Sequence, residues 1–190
     1  MLEKLLDKHA KNFVTNERQD GKLEGIHYHE NGSIYVTDAH KLLVFHDAHQ
    51  EEAHTVHYKT GKQMDIKYPE VARLLDSDYQ DSLTIQMKDI NSYIDLIKVA
   101  TNIDLVGDLI LKDGQFKLEI KYTNESFNLL IGETKSEFKV CLNILYFYHM
   151  LHFFKDAKVD EIIFSWSHPM RPLSFRSGNY EILVVPVRRY

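Results

Sequence analysis

The chain has 190 residues, 44% of them hydrophobic and 27% charged, which is the composition of one large globular domain or two small ones. A formal net charge of -5 argues against attachment to nucleic acid by bulk positive charge and leaves only a local basic stripe for that role. Cys141 is the one cysteine, so an intrachain disulfide and a four-cysteine zinc site are excluded. No apolar run is long enough to span a bilayer, and the charged start Met1-Leu2-Glu3-Lys4 lacks a signal-peptide core. A cytoplasmic location without membrane attachment is the expectation.

Residues 1–14 read as an amphipathic helix, with Leu2, Leu5, Leu6, His9 and Phe13 on one stripe and Lys4, Lys8 and Lys11 opposite. Gly21 breaks the pattern, and 23–29 alternates as a strand. Asn31-Gly32 supplies the turn of a hairpin, 34–37 is the return strand, and 41–46 continues as a third strand after Asp38-Ala39-His40. Residues 47–60 are polar, with a short strand near 55–58 and a turn at Thr60-Gly61-Lys62. Pro69 opens a short helical stretch that ends at the boundary Asp76-Ser77-Asp78. From there the spacing predicts a strand at 82–87, a helix at 89–101 and strands at 108–111, 116–122 and 126–132. Lys112-Asp113-Gly114 and Thr123-Asn124-Glu125 are the turns between those strands. The order then repeats: strand 137–141, helix 143–155, strands 161–167, 173–176 and 180–187.

That repetition is the most informative property of the sequence. Residues 82–133 and 137–188 both read strand, helix, strand, strand, strand, and residues 1–47 read the same without the first strand. Such units make an α+β protein of antiparallel strands packed on helices. Its sheet edges invite end-to-end pairing.

The chain holds 11 histidines. His46, His49, His54 and His57 fall within a dozen residues, with Glu51 and Glu52 among them. A metal wants imidazoles converging on one point, whereas this stretch reads as loop and strand, so a solvated polar loop is the plainer account and no metal site is assigned. G-x-S-x-G, H-E-x-x-H and P-loop motifs are absent from the sequence. Asp38 and His40 could pair as acid and base, but nothing supplies a nucleophile. Cys141 reads as a structural thiol. No catalytic residue and no cofactor are assigned. The second helix is close to neutral on its polar side and the third is apolar nearly all round, so on charge alone DNA binding rests on Lys4, Lys8 and Lys11.

Val36-Thr37-Asp38-Ala39-His40-Lys41-Leu42 follows a strand and a turn, and it resembles the A-T-D-G-H-R-L segment of the bacterial DNA polymerase III sliding clamp (the beta subunit). Lys67-Tyr68-Pro69-Glu70-Val71-Ala72-Arg73-Leu74-Leu75 is similar to that family's F-P-D-Y-R-R-V-L linker. Leu183-Val184-Val185-Pro186-Val187-Arg188 is similar to its C-terminal V-V-M-P-M-R-L. The three occur in the family's order. The resemblance implies a DNA-clamp-like fold with a partial clamp domain at 1–68, a linker at 69–81 and a complete domain at 82–190. Residues 48–66 are too short for the strand–helix–strands unit that would complete the first domain, Ala39 stands for a glycine, and Lys41 for an arginine.

The resemblance further implies a non-enzymatic processivity factor with a groove for short hydrophobic peptides of DNA polymerase or other replication proteins. Thr37, His40, Lys41 and Leu42 would line it from the turn, and Pro69, Arg73 and Leu74 from the linker. Leu183, Val184, Val185, Pro186, Val187 and Arg188 would line it from the tail. Lys4, Lys8 and Lys11 would face duplex DNA without base readout if a homo-oligomeric ring forms. An adaptor or decoy that captures clamp-binding peptides without encircling DNA is the alternative, and a histidine-dependent metal protein is a third reading from a different class.

Overall fold

The computed structural model describes residues 2–15, 21–75, 77–123 and 125–188. Met1, Asp76 and Asn124, which the sequence reading placed in the first helix, a boundary and a turn, lie outside them. The chain divides into two compact units, residues 1–77 with 176–183, and residues 78–175 with 184–190.

The first unit opens with helix α1, Leu2–His9, which continues as a 3-10 turn over Ala10–Asn12. The helix is therefore shorter than its periodicity predicts, although the apolar stripe holds: Leu5, Leu6, His9 and Phe13 are buried while Lys4, Lys8 and Lys11 are exposed. Strands β1 (Gly25–Tyr28), β2 (Ile34–Thr37), β3 (Lys41–Phe45) and β4 (His54–His57) follow. The β1–β2, β2–β3 and β1–β4 pairs are antiparallel. A later strand, β12 (Tyr180–Val184), completes the order β4-β1-β2-β3-β12. The hairpin between β1 and β2 turns at Gly32, whose φ of 83° suits glycine, and Asn31 Oδ1 accepts the Ser33 N–H at 3.0 Å. The strand expected from residue 23 begins at Gly25, because Lys22–Glu24 form a 3-10 turn.

The second unit is built from two copies of one repeat. In the first, β5 (Asp81–Gln86) leads into α2 (Met87–Ile90), α3 (Ile94–Ala100), β6 (Val106–Lys112), β7 (Gln115–Tyr122) and β8 (Glu125–Glu133). In the second, β9 (Phe138–Asn143) leads into α4 (Ile144–Ala157), β10 (Glu161–Trp166) and β11 (Leu173–Ser177), and the strand that follows in the chain, β12, belongs to the first unit. Each repeat lends its first strand to the other. β5 pairs with β10 and β9 pairs with β6, both antiparallel, giving the strand orders β11-β10-β5 and β8-β7-β6-β9. The single helix expected at 89–101 is interrupted at Asn91-Ser92-Tyr93, where Asn and Ser side chains favour turn geometry over helix. Helix α4 starts as its sequence predicts, with Asn143 Oδ1 accepting the Leu145 and Tyr146 N–H groups at 2.9 and 3.3 Å.

An aromatic core holds this unit. Phe164 stacks on Phe175 with centroids 4.7 Å apart and lies 4.8 Å from Trp166, which stacks in turn on Phe138 at 5.1 Å. Gly107 on β6 permits the closest approach: a Cβ there would sit 2.4 Å from Ile144 Cδ1 and 3.0 Å from the Glu119 carbonyl oxygen. The strand expected over 180–187 stops at Val184. Pro186 cannot donate to a ladder, and beyond it the Val187 N–H donates to the Cys141 carbonyl at 2.8 Å, beside β9. Among the described residues, no helix is long and apolar enough to cross a membrane.

Candidate functional site

The turn between β2 and β3 is fixed by its own side chains. Asp38 Oδ1 accepts the His40 and Lys41 N–H groups, both at 2.9 Å. Thr37 Oγ1 accepts the Ala39 N–H at 3.0 Å and donates to the Lys41 carbonyl at 2.7 Å. Ala39 takes a φ of 75°, a left-handed conformation that costs a residue with a Cβ about 1–2 kcal/mol. Here the resemblance expects glycine, and the network around Asp38 holds alanine in glycine's place.

Lys41 does not reach solvent. It is 4% exposed, its ammonium pairs with the Asp38 carboxylate, and it lies over the Phe13 ring at 5.5 Å. Burial lowers its pKa, and the neighbouring Asp38 charge opposes the shift. Lys41 thus braces the turn, and His40 is exposed, as is Ala39.

The linker and β12 meet this turn's strand in one apolar cluster. Tyr35, Leu42, Val44, Tyr68, Val71 and Leu183 are buried together, with Ala72 and Leu75 packed against them. Segments near residues 42, 70 and 183, distant in sequence, thus share a floor inside the first unit. The linker takes a 3-10 turn over Ala72–Leu74, which leaves Arg73 exposed and Leu74 37% exposed, with Pro69 half-buried. Tyr68 donates its hydroxyl to the Tyr35 carbonyl at 3.3 Å, and burial raises the phenol's pKa far above its ordinary value. In the second unit, Val184 is buried, Val185 is 39% exposed, Pro186 and Val187 are half-buried, and Arg188 is exposed.

Tyr68 also carries a group that the sequence marks only by its H-x-H spacing with His29 on one face of a strand. His27 stacks on it with centroids 4.6 Å apart and planes 10° from parallel, and its Nδ1 lies 2.9 Å from Thr55 Oγ1. Burial lowers the His27 pKa, and the charges of His29 and His54 add to the effect, while Glu70 opposes it. The H-x-H spacing at 27–29 was the available signal, but the tyrosine partner, 41 residues further on, was not visible in it.

The histidines of 46–57 turn to separate partners. His46 Nε2 lies 2.8 Å from the Glu181 carboxylate on β12, and His49 Nε2 lies 3.2 Å from the Ser33 carbonyl. His54 stacks on Tyr28 at 4.4 Å, with its Nδ1 2.8 Å from the Glu52 carbonyl. His57 Nδ1 accepts the Lys59 N–H at 3.1 Å. They secure the polar segment to the sheet and to its own turns.

No protein-family profile and no curated protein matches the sequence. The fold itself has close counterparts. The DNA polymerase III beta chain of Streptococcus pneumoniae superposes with a TM-score of 0.80 at 14% identity, covering 99% of this chain and 63% of that one. The beta sliding clamp of C. crescentus gives 0.80 at 15% identity, again over 99% and 63%. The Helicobacter pylori beta clamp bound to a DNA ligase peptide gives 0.76 at 15% identity, over 98% and 64%. The chain therefore has the sliding-clamp fold, in an α+β arrangement that spans less than two thirds of the length of these clamps.

Proposed function

We propose that this chain is a non-enzymatic, clamp-fold protein of DNA replication that captures short hydrophobic peptides carried by a polymerase or another replication protein. The observation that carries the reading is the shared apolar cluster, to which β3, the linker and β12 contribute Leu42, Val71 and Leu183. Leu74 is an exposed apolar side chain of the same linker, and His40 and Arg73 supply exposed polar groups for a peptide's carbonyls. In this reading Thr37 and Lys41 act by holding the turn, and Pro69 sets the linker's course. Val184, Val185, Pro186, Val187 and Arg188 are assigned to the groove from the resemblance. The peptide-bound Helicobacter pylori clamp supports a peptide as the kind of partner.

The test is a titration with a labelled Gln-Leu-x-Leu-Phe-type peptide. The unaltered chain should bind, and Leu74→Asp, Val185→Asp and removal of residues 184–190 should each weaken binding about tenfold or more, as expected when a charge enters an apolar anchor pocket. Absence of binding at millimolar peptide, or equal binding by all three variants, overturns the assignment.

As a processivity factor, the protein would also need a closed oligomer and a DNA-facing surface. Lys4, Lys8 and Lys11, exposed on one side of α1 and its 3-10 extension, would meet phosphates. For assembly, α3 and the turn after it expose Leu96, Val99 (61%), Ile103 and Leu105, and the edge strand β8 exposes Leu130 (54%). Changing the three lysines to glutamate should abolish retention on circular DNA, and unchanged retention would remove them from the interface. The second reading, an adaptor or decoy that needs no ring, is favoured by the first unit, which holds a single helix-and-strands repeat where the second unit is built from two.

A further inference from the structure

Strand β4 is the outermost strand of the first unit's sheet. An edge strand of this kind ordinarily presents a row of unpaired N–H and C=O groups to any extended segment that arrives. Here the chain itself has taken them. After β4 it turns at Gly61, where φ is 64°, and comes back alongside. The Gly61 N–H donates to the His57 carbonyl at 2.9 Å, the His57 N–H donates to the Lys62 carbonyl at 2.8 Å, and the Met64 N–H donates to the Thr55 carbonyl at 2.8 Å. An isolated antiparallel bridge joins Val56 to Gln63. Lys59 and Lys62, both exposed, flank the returning segment. Charged residues at an edge oppose further strand addition. The opposite side of β4 is held by β1 and by the Tyr58 N–H, which donates to the Glu24 carbonyl at 3.0 Å.

We infer that residues 59–64 are a built-in edge seal, and that no second copy of this chain and no other protein joins the first unit by sheet extension at β4. A head-to-tail assembly through strand pairing needs two different open edges, and this seal withdraws one of them. The inference deepens the assembly reading above and rests on it only for its biological consequence, which is to favour the adaptor over a self-made ring. The seal stands on hydrogen bonds alone and is independent of peptide capture.

Hydrogen exchange on the full chain tests it directly. The His57 and Met64 amides should exchange slowly at the lowest workable concentration and at the same rate across about a hundredfold rise in concentration, because their partners lie in the same chain. If both exchange fast when dilute and become protected only as copies associate, β4 is an intermolecular interface and the inference falls.

A Gly61→Val/Met64→Pro chain opens the seal: a Cβ at residue 61 would meet no neighbour within 4 Å, but valine is strained at a φ of 64°, and proline removes the Met64 N–H. Its His57 amide should exchange about tenfold faster or more, and sedimentation should show new, concentration-dependent association. Loss of His57 protection with the parent's mass retained would overturn the guarding role. Protection of β6 amides shows that the second unit is folded in this variant. If it is not, the concentration series on the unaltered chain decides the question alone. Failure of the peptide titration would leave these exchange results unchanged, so the two ideas fail separately.

Discussion

The first unit is stabilised by many local polar devices, the second by an apolar core closed with exchanged strands. In the first, Asp38 ties down a turn, Lys41 is buried against it, histidines reach carbonyls and a carboxylate, and residues 59–64 close an edge. In the second, Phe164, Phe175, Trp166 and Phe138 stack in one series, and β5 and β9 cross between repeats. A double repeat can bury its strands against its own second copy. A single repeat must finish its turns and edges with hydrogen bonds, since a buried or exposed backbone group left unmatched is costly or sticky.

The contrast predicts how each unit breaks. Trp166, the single tryptophan, is buried in the second unit and reports on it alone. Phe164→Ala should cost about 3–5 kcal/mol, the usual loss for a buried phenylalanine, and should move the Trp166 fluorescence transition in urea to lower denaturant. An unmoved transition would mean that the stacked rings do not hold the unit.

In the first unit, Asp38→Ala leaves the Lys41 ammonium buried without its carboxylate and removes the acceptor of two backbone N–H groups. A loss of about 3 kcal/mol is expected, read as faster exchange of β2 and β3 amides. The Asp38→Ala/Lys41→Met chain should recover part of it. If the double variant is no better than the single one, the N–H acceptor role outweighs the charge pair.

A smaller effect, of opposite sign, is expected at Ala39. Removing its Cβ at φ 75° in Ala39→Gly should stabilise the first unit by about 0.5–1 kcal/mol, the left-handed penalty less the added freedom of the unfolded glycine. Destabilisation would show that the methyl group packs usefully.

The smallest expected effect is a pH dependence. The folded His27 pKa lies below the ordinary 6.5, so on acidification the unfolded chain takes up the proton first. Stability of the first unit should therefore fall as pH drops through the region of 6.5 toward the lower folded value, and be fully present above it. His27→Gln should flatten that dependence between about pH 7.5 and about pH 5.5 in urea melts followed by amide exchange. A slope unchanged by the substitution would assign it to other groups.

The repeats, the succession of strands along the chain and the approximate helix positions were legible in the sequence, because period-2 alternation and glycine or asparagine turns are local signals. The motifs at 36–42, 67–75 and 183–188 pointed to the segments that supply the shared apolar cluster. Burial was less legible. Lys41 reads as a surface cation and is buried, since only the fold brings Phe13 over it. The break at Asn91–Tyr93 was missed because an apolar stripe continues through it. The edge seal was seen only as a Thr60-Gly61-Lys62 turn, since hydrogen bonds from Met64 back to Thr55 depend on where β4 lies in the sheet.

The exchange of first strands has a bearing on synthesis. Gln86 Nε2 donates to Glu161 Oε2 at 3.1 Å across 75 residues of chain, so β5 leaves the ribosome long before β10 exists to receive it. A nascent chain halted after Glu133 carries three strands of the first repeat, β6 to β8, without β9 beside them, and its β5 has no neighbour. Contacts between residues so far apart slow folding and leave apolar strands uncovered meanwhile. Neither repeat is therefore a detachable module. A gene fragment that ends between them should yield a sticky polypeptide in place of half of the second unit.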